Sequence, residues 1–573
     1  MKARLGPHYV LLVATLPAAV WAQTGILPGG AGGPDLEVTL EQGARIVEDS
    51  VLKAPVLELD GEAGSYAHCK TPGDWERLRN VRIDVKVRLD QLRASSIPIA
   101  LPGSFMIYIS GHGKPWFLFF TDKGRVILSC EEMLLPGVWN DIAVEYRADD
   151  ICLLYLNGKS VAGMTGRGLL SQGGGELWFG RYDWTDPEDG KRYEQWMKGA
   201  IARPRVTLLP DDDRFELNTE GMDNCMIVSW GDQIAVGQGW RKLNRIEHVA
   251  PLIAECKRKG VKRVLFRCSS LLIMELYEKR MDENHWYIKA IRAVEGDIHS
   301  EVIRQCHEAG IKVYAWSTIF DEGSPTSVLY GGTTPYFWQS KFTIDHPEYL
   351  VESRDGSKRQ WGVLCYAYPE ARKYIVGIFQ KLLADRAFDG AYICTRTHSY
   401  PAEFADQFGY NQPIAEEFKR RHGVDIRTED FSKSQWWDLQ GEYLTELMRD
   451  FRRGLPGKEI IVGIPRSDYI GPPYGNMRLD WRTWVQEKLV DGIVLGTISG
   501  GWHYPNTMNL PGYVQSQQDN VGMRELEYDL GQWFGPPCEE AGVGLYLMHS
   551  NIYSDKDRDL LKHPGMAGFA IAF

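Results

Sequence analysis

Eight short apolar runs alternate with amphipathic helical segments in the second half of the chain, and no other feature constrains the fold as strongly. A helical stripe of Ile298, Val302, Ile303 and Cys306 is one example of the intervening segments. Continuous apolar runs joined by helices are typical of parallel strands that are buried on both faces. The alternation therefore predicts a (β/α)8 TIM barrel over residues 218–573. The eight predicted strands are Cys225 to Trp230, Arg263 to Cys268, Ile311 to Ser317, Asp389 to Thr395, Glu459 to Ile464, Asp491 to Gly496, Val543 to Met548 and Met566 to Phe573.

The chain stops on the eighth predicted strand, GFAIAF, without a helix after it. We expect either that the barrel closes without this helix or that the sequence is part of a longer chain.

Residues 38–210 show a different pattern, in which strands alternate with turns and no helical period is present. Val81, Ile83 and Val85 alternate with charged residues, as expected for a strand with one buried face. Asn157-Gly158 separates two further apolar runs and suits a tight type I′ hairpin turn. Many short antiparallel strands predict a sandwich of two sheets. The preceding residues 23–37 are rich in Gly and Pro, which predicts a flexible linker.

The first 22 residues have the pattern of a secretory signal peptide. Lys2 and Arg4 precede the apolar run Tyr9 to Val20, and Val20-Trp21-Ala22 ends it with small residues at the cleavage positions. We therefore expect a secreted or periplasmic protein, and the alternative is an uncleaved anchor. No later segment has about 18 consecutive apolar residues, so we predict no membrane span after signal removal.

Composition limits the partners. The 65 basic and 76 acidic side chains leave a net charge of −11, which argues against a nucleic-acid surface. The ten cysteines form no CxxC pair and lie mostly in apolar segments, so we expect buried free thiols, with one or two disulfides as the alternative.

Three segments of the first half carry a resemblance. VWNDIAVEYRADDICLLYLNGKSVAG, WFGR and MKGAIARPRV resemble the concanavalin-A-like, laminin-G-like jelly roll. The resemblance implies a jelly-roll sandwich over residues 38–210. Such modules either bind carbohydrate or only pack against a neighbouring domain, and both roles stay open.

The second half resembles the bacterial glycosyl-hydrolase-like family-ten domain. The resemblance rests on GIKVYAW, DHPEYL, LCYAYPEARKY, FDGAYI and EEFKRRHGVDIRTEDF, in this order. It implies a (β/α)8 barrel with glycosidase activity in polysaccharide processing. The family pattern places one or two aspartates at the end of the fourth strand, where this chain has Cys394 and Thr395. The acids must therefore come from other loops.

Hydrolysis of a glycosidic bond needs two carboxyl groups, about 5–9.5 Å apart depending on the stereochemistry. The working residues of such barrels lie at the carboxyl ends of strands. We therefore predict Asp468, after the fifth strand, as one catalytic acid, with Asp321 or Glu322, after the third strand, as the other. Glu403 is an alternative acid, and His398 is a candidate for proton transfer near neutral pH.

The same strand ends carry candidate substrate-binding residues. Cationic side chains suggest a rim for an anionic sugar, and tryptophans at strand ends suit stacking on sugar faces. The candidates are Arg396, Arg466, His503, His549, Trp230, Trp316 and Trp502.

The predicted function is hydrolysis of an extracellular, possibly anionic polysaccharide or oligosaccharide. The first alternative is a non-catalytic carbohydrate-binding protein with a degenerate hydrolase barrel, and the second is another reaction on an anionic glycan that uses Arg396 and His398. Metal-binding spacings such as HExxH are absent from the sequence, so we predict no metal and no cofactor.

Overall fold

The computed structural model describes residues 23–29, 34–71, 75, 78–92, 95–185, 192–235, 237, 239–268, 286–324, 338–395, 404–471, 475–496, 525–549 and 554–572. The chain divides after Phe215 into two compact units, and Ser554 and Asp555 belong to the first unit. Each unit has its own strands and its own core.

The first unit consists of antiparallel sheets. One sheet has nine strands, a second has seven, and Arg181–Thr185 and Arg192–Trp196 form a separate antiparallel pair. The strands are β1 (Gln23–Leu27), β2 (Leu36–Leu40), β3 (Arg45–Asp49), β4 (Ala54–Asp60), β5 (Ala67–Lys70), β6 (Asn80–Leu89), β7 (Ser95–Ser96), β8 (Ala100–Leu101), β9 (Phe105–Ser110), β10 (Pro115–Thr121), β11 (Gly124–Ser129), β12 (Trp139–Arg147), β13 (Ile151–Leu156), β14 (Lys159–Thr165), β15 (Glu176–Phe179), β16 (Arg181–Thr185), β17 (Arg192–Trp196) and β18 (Lys198–Leu208).

The core of this unit lies between the two large sheets. The inward residues of β6, such as Ile83 and Val85, pack in one cluster with Phe117 and Phe119 of the nine-stranded sheet. The predicted alternation is confirmed, because the charged residues of β6 face outward. The Asn157-Gly158 turn is also confirmed, with φ of 51° and 82° at its two residues. The antiparallel pairing fits a jelly-roll sandwich.

The predicted linker at residues 23–37 differs from the structure at its two ends, which form strands, and residues 30–33 lie outside the described residues. Gln23–Leu27 forms strand β1, which pairs antiparallel with Leu36–Leu40. Leu27 is fully buried in the core of the sandwich, and Val38 of the partner strand is buried with it. Burial of these apolar side chains stabilises the strand. The Gly and Pro residues around it are typical of a linker, so the sequence alone did not predict it. All ten cysteines are free and buried, which confirms the expected thiols.

The second unit contains strands and helices in alternation. Its strands are β19 (Asn224–Val228), β20 (Val261–Arg267), β21 (Lys312–Thr318), β22 (Gly323–Ser324), β23 (Trp338–Gln339), β24 (Leu350–Glu352), β25 (Arg359–Leu364), β26 (Gly390–Cys394), β27 (Glu459–Ile464), β28 (Tyr469–Gly471), β29 (Gly475–Arg478), β30 (Gly492–Leu495), β31 (Gly544–Met548) and β32 (Met566–Ala572). Its α-helices are Trp230–Ala235, Val249–Arg258, Trp286–Arg292, Ile298–Glu308, Lys341–Asp345, Pro369–Asp385, Gln412–His422, Lys433–Gly454, Trp481–Gln486, Leu526–Tyr528, Gly535–Ala541 and Asp555–Asp559. A π-helix spans Asp529–Phe534, and 3-10 turns span Gly239–Lys242, Ile246–His248, Pro347–Tyr349 and Leu560–Lys562.

Eight of these strands close into a parallel barrel in the order β19, β20, β21, β26, β27, β30, β31 and β32. The last strand pairs with the first, with Ala570 opposite Cys225, so the ring closes through β32. All eight predicted strands are confirmed as barrel strands. The interior is filled by large side chains that include Tyr314, Trp316 and Tyr392, as expected for a packed barrel. Among the described residues, no helix is long and apolar enough to cross a membrane.

Candidate functional site

The carboxyl ends of the eight parallel strands meet at one edge of the barrel, which we call the mouth. Strand β20 ends at Arg267, and the segment after β21 carries Asp321 and Glu322. The segment after β27 carries Arg466 and Asp468. Because all strands run in the same direction, side chains from distant parts of the sequence gather at this edge.

A buried ion pair lies over an aromatic ring at the mouth. The guanidinium of Arg267 is 3.5 Å from Oδ2 of Asp321, and the two side chains are only 8% and 2% exposed. Arg267 pairs with Trp316 across strands β20 and β21, and its guanidinium lies 5.6 Å from the centre of the indole ring. The positive charge favours the ionised form of the Asp321 carboxyl group, which would otherwise lose stability on burial.

The indole N–H of Trp316 is a buried donor that has no hydrogen-bond partner among the described residues. The side chain packs against Tyr392 with ring centres 5.7 Å apart, and the residue is 5% exposed. An unpaired buried donor costs free energy, so a hydrogen-bond acceptor placed at this indole would stabilise it.

Glu322 lies beside Asp321 in a different environment. The hydroxyl of Tyr374, from the helix Pro369–Asp385, donates a hydrogen bond to Oε2 of Glu322 at 2.8 Å. The pKa of Glu322 is raised to about 7, mainly by burial and to a smaller degree by the charge of Asp321, while the hydrogen bonds from Tyr374 and Ser340 act in the opposite direction. Two neighbouring carboxyl groups therefore differ in the charge state that their surroundings favour.

The raised pKa of Glu322 predicts how stability depends on pH. The folded pKa lies above the ordinary value of 4.5, so the folded state binds this proton more tightly than the unfolded state. The contribution is fully present below pH 4.5 and is lost as the pH rises through about 7. Chemical denaturation of the wild type and of Glu322→Gln at pH 5 and pH 8 tests this. Between these pH values the free energy of unfolding of the wild type should fall by about 2–3 kcal/mol more than that of Glu322→Gln. The exposed Glu370→Gln variant should behave like the wild type.

Asp468 lies in a network of donors that comes from a later part of the chain. Its Oδ1 atom accepts hydrogen bonds from the indole N–H groups of Trp481 at 2.9 Å and Trp533 at 3.2 Å. The guanidinium of Arg482 is 3.5 Å from the same oxygen and lies between the two indole rings, 4.2 and 4.1 Å from their centres. This arrangement holds the loop after β27 to two other segments.

The π-helix Asp529–Phe534 supplies a second contact to the same loop. Asp529, which is 1% exposed, accepts from Nε of Arg466 at 2.8 Å and lies 2.7 Å from its Nη2 atom. The π-helix also carries Trp533, so one short element holds both Arg466 and Asp468. Arg466 was predicted to bind an anionic sugar, and in the structure its guanidinium pairs with a protein carboxylate. Asp529, Trp533 and Tyr374 are not among the predicted site residues, because no local pattern in the sequence connects them to the strand ends.

Two other predicted residues also have protein partners. Trp230 is 2% exposed, donates its indole N–H to the carbonyl of Leu243 at 3.1 Å and packs edge-on against His299 at 4.3 Å. A ring buried in this way is part of the packing and offers no open face to a sugar. The Nε2 atom of His549 lies 3.2 Å from Oδ1 of Asp557.

The other predicted site residues lie outside the residues that the structure describes. These are Arg396, His398, Glu403, Trp502 and His503. Within the described ranges, no group of three or more His, Cys, Asp or Glu side chains is arranged to hold a metal ion.

Comparisons with known proteins give partial likenesses only. No family model matches the chain, and no curated protein matches it. Domains LG4-5 of the mouse laminin α1 chain are 15% identical, with a TM-score of 0.22, over 29% of this chain and 41% of that chain. The binding domain of botulinum neurotoxin serotype G is 9% identical, with a TM-score of 0.25, over 32% of this chain and 48% of that chain. A SAP-like pentraxin from Limulus polyphemus is 15% identical, with a TM-score of 0.21, over 27% of this chain and 76% of that chain.

This chain thus spans less than half the length of the laminin and neurotoxin structures that it matches. Likenesses with such low identities and TM-scores assign neither a fold nor a function to this chain. The sandwich and the barrel are therefore assigned from their own strand pairing.

Proposed function

We propose that the second unit is a (β/α)8 barrel of the glycoside-hydrolase type, which cleaves a glycosidic bond of an extracellular polysaccharide at its mouth. The observation that carries the proposal is the pair of adjacent carboxyl groups, Asp321 and Glu322, in opposite electrostatic environments. The resemblance of the sequence to glycosyl-hydrolase-like domains supports the same class, and the predicted signal peptide supports export to an extracellular substrate.

The chemistry divides between the two carboxyl groups. Asp321, beside Arg267, supplies the carboxylate that stabilises the developing positive charge on the sugar carbon. As the bond to the leaving oxygen breaks, a water molecule supplies the hydroxyl group that replaces it, and the second proton of the water returns to a carboxylate of the pair. Glu322 holds a proton up to about pH 7 and donates it to the oxygen of the leaving group. The free indole N–H of Trp316 offers a hydrogen bond to a sugar hydroxyl.

A screen against neutral and anionic polysaccharides, followed by reducing-end release, tests the proposal. We expect release from at least one polysaccharide, with an activity that falls as the pH rises through about 7 because Glu322 loses its proton. Glu322→Gln should lose activity on the polysaccharide but keep much of it on a nitrophenyl glycoside of the same sugar, because nitrophenolate leaves without protonation.

Two results would count against hydrolysis. Binding of a polysaccharide without release would favour the alternative, a non-catalytic carbohydrate-binding barrel. Equal losses on the polysaccharide and on the nitrophenyl glycoside in Glu322→Gln would remove the proton-donor role from Glu322.

A further inference from the structure

A cavity of about 700 Å³ lies on the outer face of the seven-stranded sheet in the first unit. Its lining includes the outward side chains of Arg82 and Lys86 on β6, Tyr155 on β13 and Arg203 on β18. The volume lies within the range of small-molecule sites, which is about 300–1,000 Å³. All of the residues that line this cavity belong to the first unit.

A β-bulge presents Arg203 to the cavity. The pairing of β18 with β6 shifts register between Ala202 and Arg205, so Arg203 and Pro204 have no partner in the ladder. Arg203 has a φ of 50°, in the left-handed region that non-glycine residues rarely adopt. Strained conformations at bulges persist where they direct a side chain to a site. Here the side chain of Arg203 lines the cavity and is exposed.

Two of the basic side chains that line the cavity are paired with protein carboxylates, whereas Arg203 is available to bind an anion. Arg82 donates to Asp84 at 2.8 Å and also binds Glu145, and Lys86 donates to Asp141 at 2.7 Å. Arg203, in contrast, has no ion-pair or hydrogen-bond partner within the described part of the chain. An unpaired guanidinium at the edge of a cavity favours a ligand with a carboxylate or a similar anion.

We propose that this cavity binds an acidic sugar of the uronate type, with its carboxylate on Arg203. The carboxylates of Asp84 and Asp141 also line the cavity and would repel a densely charged anion, but they accept hydrogen bonds from hydroxyl groups. A uronate unit combines one carboxylate with several hydroxyls and therefore matches this mixed lining. Asn157 supplies a further polar contact, and the half-buried ring of Tyr155 supplies an apolar one. The site is independent of hydrolysis in the barrel.

Isothermal titration of the full chain with tetragalacturonate tests the site, with a neutral tetrasaccharide and inorganic sulfate as comparison ligands. The titration uses the Asp321→Asn background, so that hydrolysis does not consume the ligand. We expect tetragalacturonate to bind and both Arg203→Gln and Arg203→Gly to weaken this binding event about tenfold or more. Arg203→Gly relieves the strained φ and should melt no lower than the parent, which separates loss of binding from loss of folding.

Arg45→Gln is the matched control. Arg45 is an exposed arginine on β3 of the same sheet, paired with Glu58, and it does not line the cavity. The proposal is overturned if tetragalacturonate does not bind or if the Arg203 variants bind it as the parent does. It is also overturned if the neutral tetrasaccharide binds equally well and the Arg203 variants weaken that binding to the same degree. Full competition by sulfate alone at the same concentration would also overturn it, because the site would then be a simple anion site. Failure of hydrolysis in the barrel would leave all of these results unchanged.

Discussion

Replacement of Asp321 by asparagine is expected to lower kcat/KM for glycan hydrolysis by about a thousandfold or more. Asp321 is buried at the mouth, and the guanidinium of Arg267 lies 3.5 Å from its Oδ2 atom. Asparagine has nearly the same shape but cannot supply the negative charge that stabilises the transition state. Initial rates of reducing-end release at several substrate concentrations measure the effect, and a thermal melt checks that the variant is folded.

Chemical rescue separates a catalytic role of Asp321 from a structural one. The Asp321→Ala variant leaves space at the mouth, and added formate should restore part of the activity because a small carboxylate replaces the missing group. Asp345→Asn is the control, since this aspartate is 45% exposed on a surface helix. An Asp321→Asn variant that keeps its rate within a few-fold of the wild type would remove Asp321 from the catalytic pair.

Replacement of Asp468 by alanine is expected to lower the free energy of unfolding by about 3–4 kcal/mol. The Oδ1 atom accepts from two indole N–H groups, those of Trp481 and Trp533, and lies 3.5 Å from Arg482. Alanine would leave both donors without an acceptor in a mostly buried position, and it would remove the counter-charge of Arg482. Urea denaturation followed by tryptophan fluorescence measures the change.

Two further variants define what Asp468 contributes. Asp468→Asn keeps an oxygen acceptor and should cost less than Asp468→Ala. Asp438→Ala removes an exposed aspartate from the helix Lys433–Gly454 and should change the free energy of unfolding by less than about 0.5 kcal/mol. If Asp468→Ala is no more destabilising than Asp438→Ala, the hydrogen bonds to the indoles do not stabilise the loop.

The eight barrel strands were predictable because buried parallel strands produce continuous apolar runs in the local sequence. The run Glu459 to Ile464 coincides with strand β27. The segment Gln23–Leu27 was not predictable in the same way, because a five-residue strand among glycines becomes stable only when its partner, Leu36–Leu40, is in place. The local pattern of apolar residues thus identifies strands that are buried along their whole length. It does not identify short strands that are stable only when a distant partner strand is in place.

The candidate site shows the same division. Position at a strand end identified Asp321, Glu322 and Asp468 from the sequence, since the direction of parallel strands brings their carboxyl ends together. The surroundings of these acids come from residues far away in the chain, such as Tyr374 for Glu322 and Trp533 for Asp468. Hydrogen bonds and burial set whether a carboxyl group holds a proton, and both depend on distances in three dimensions. The sequence by itself therefore determined the order of the strands and the acids at their ends. Only the tertiary structure decided that Asp321 pairs with Arg267, that burial raises the pKa of Glu322 and that Asp468 holds a loop in place, because each of these depends on distances in three dimensions.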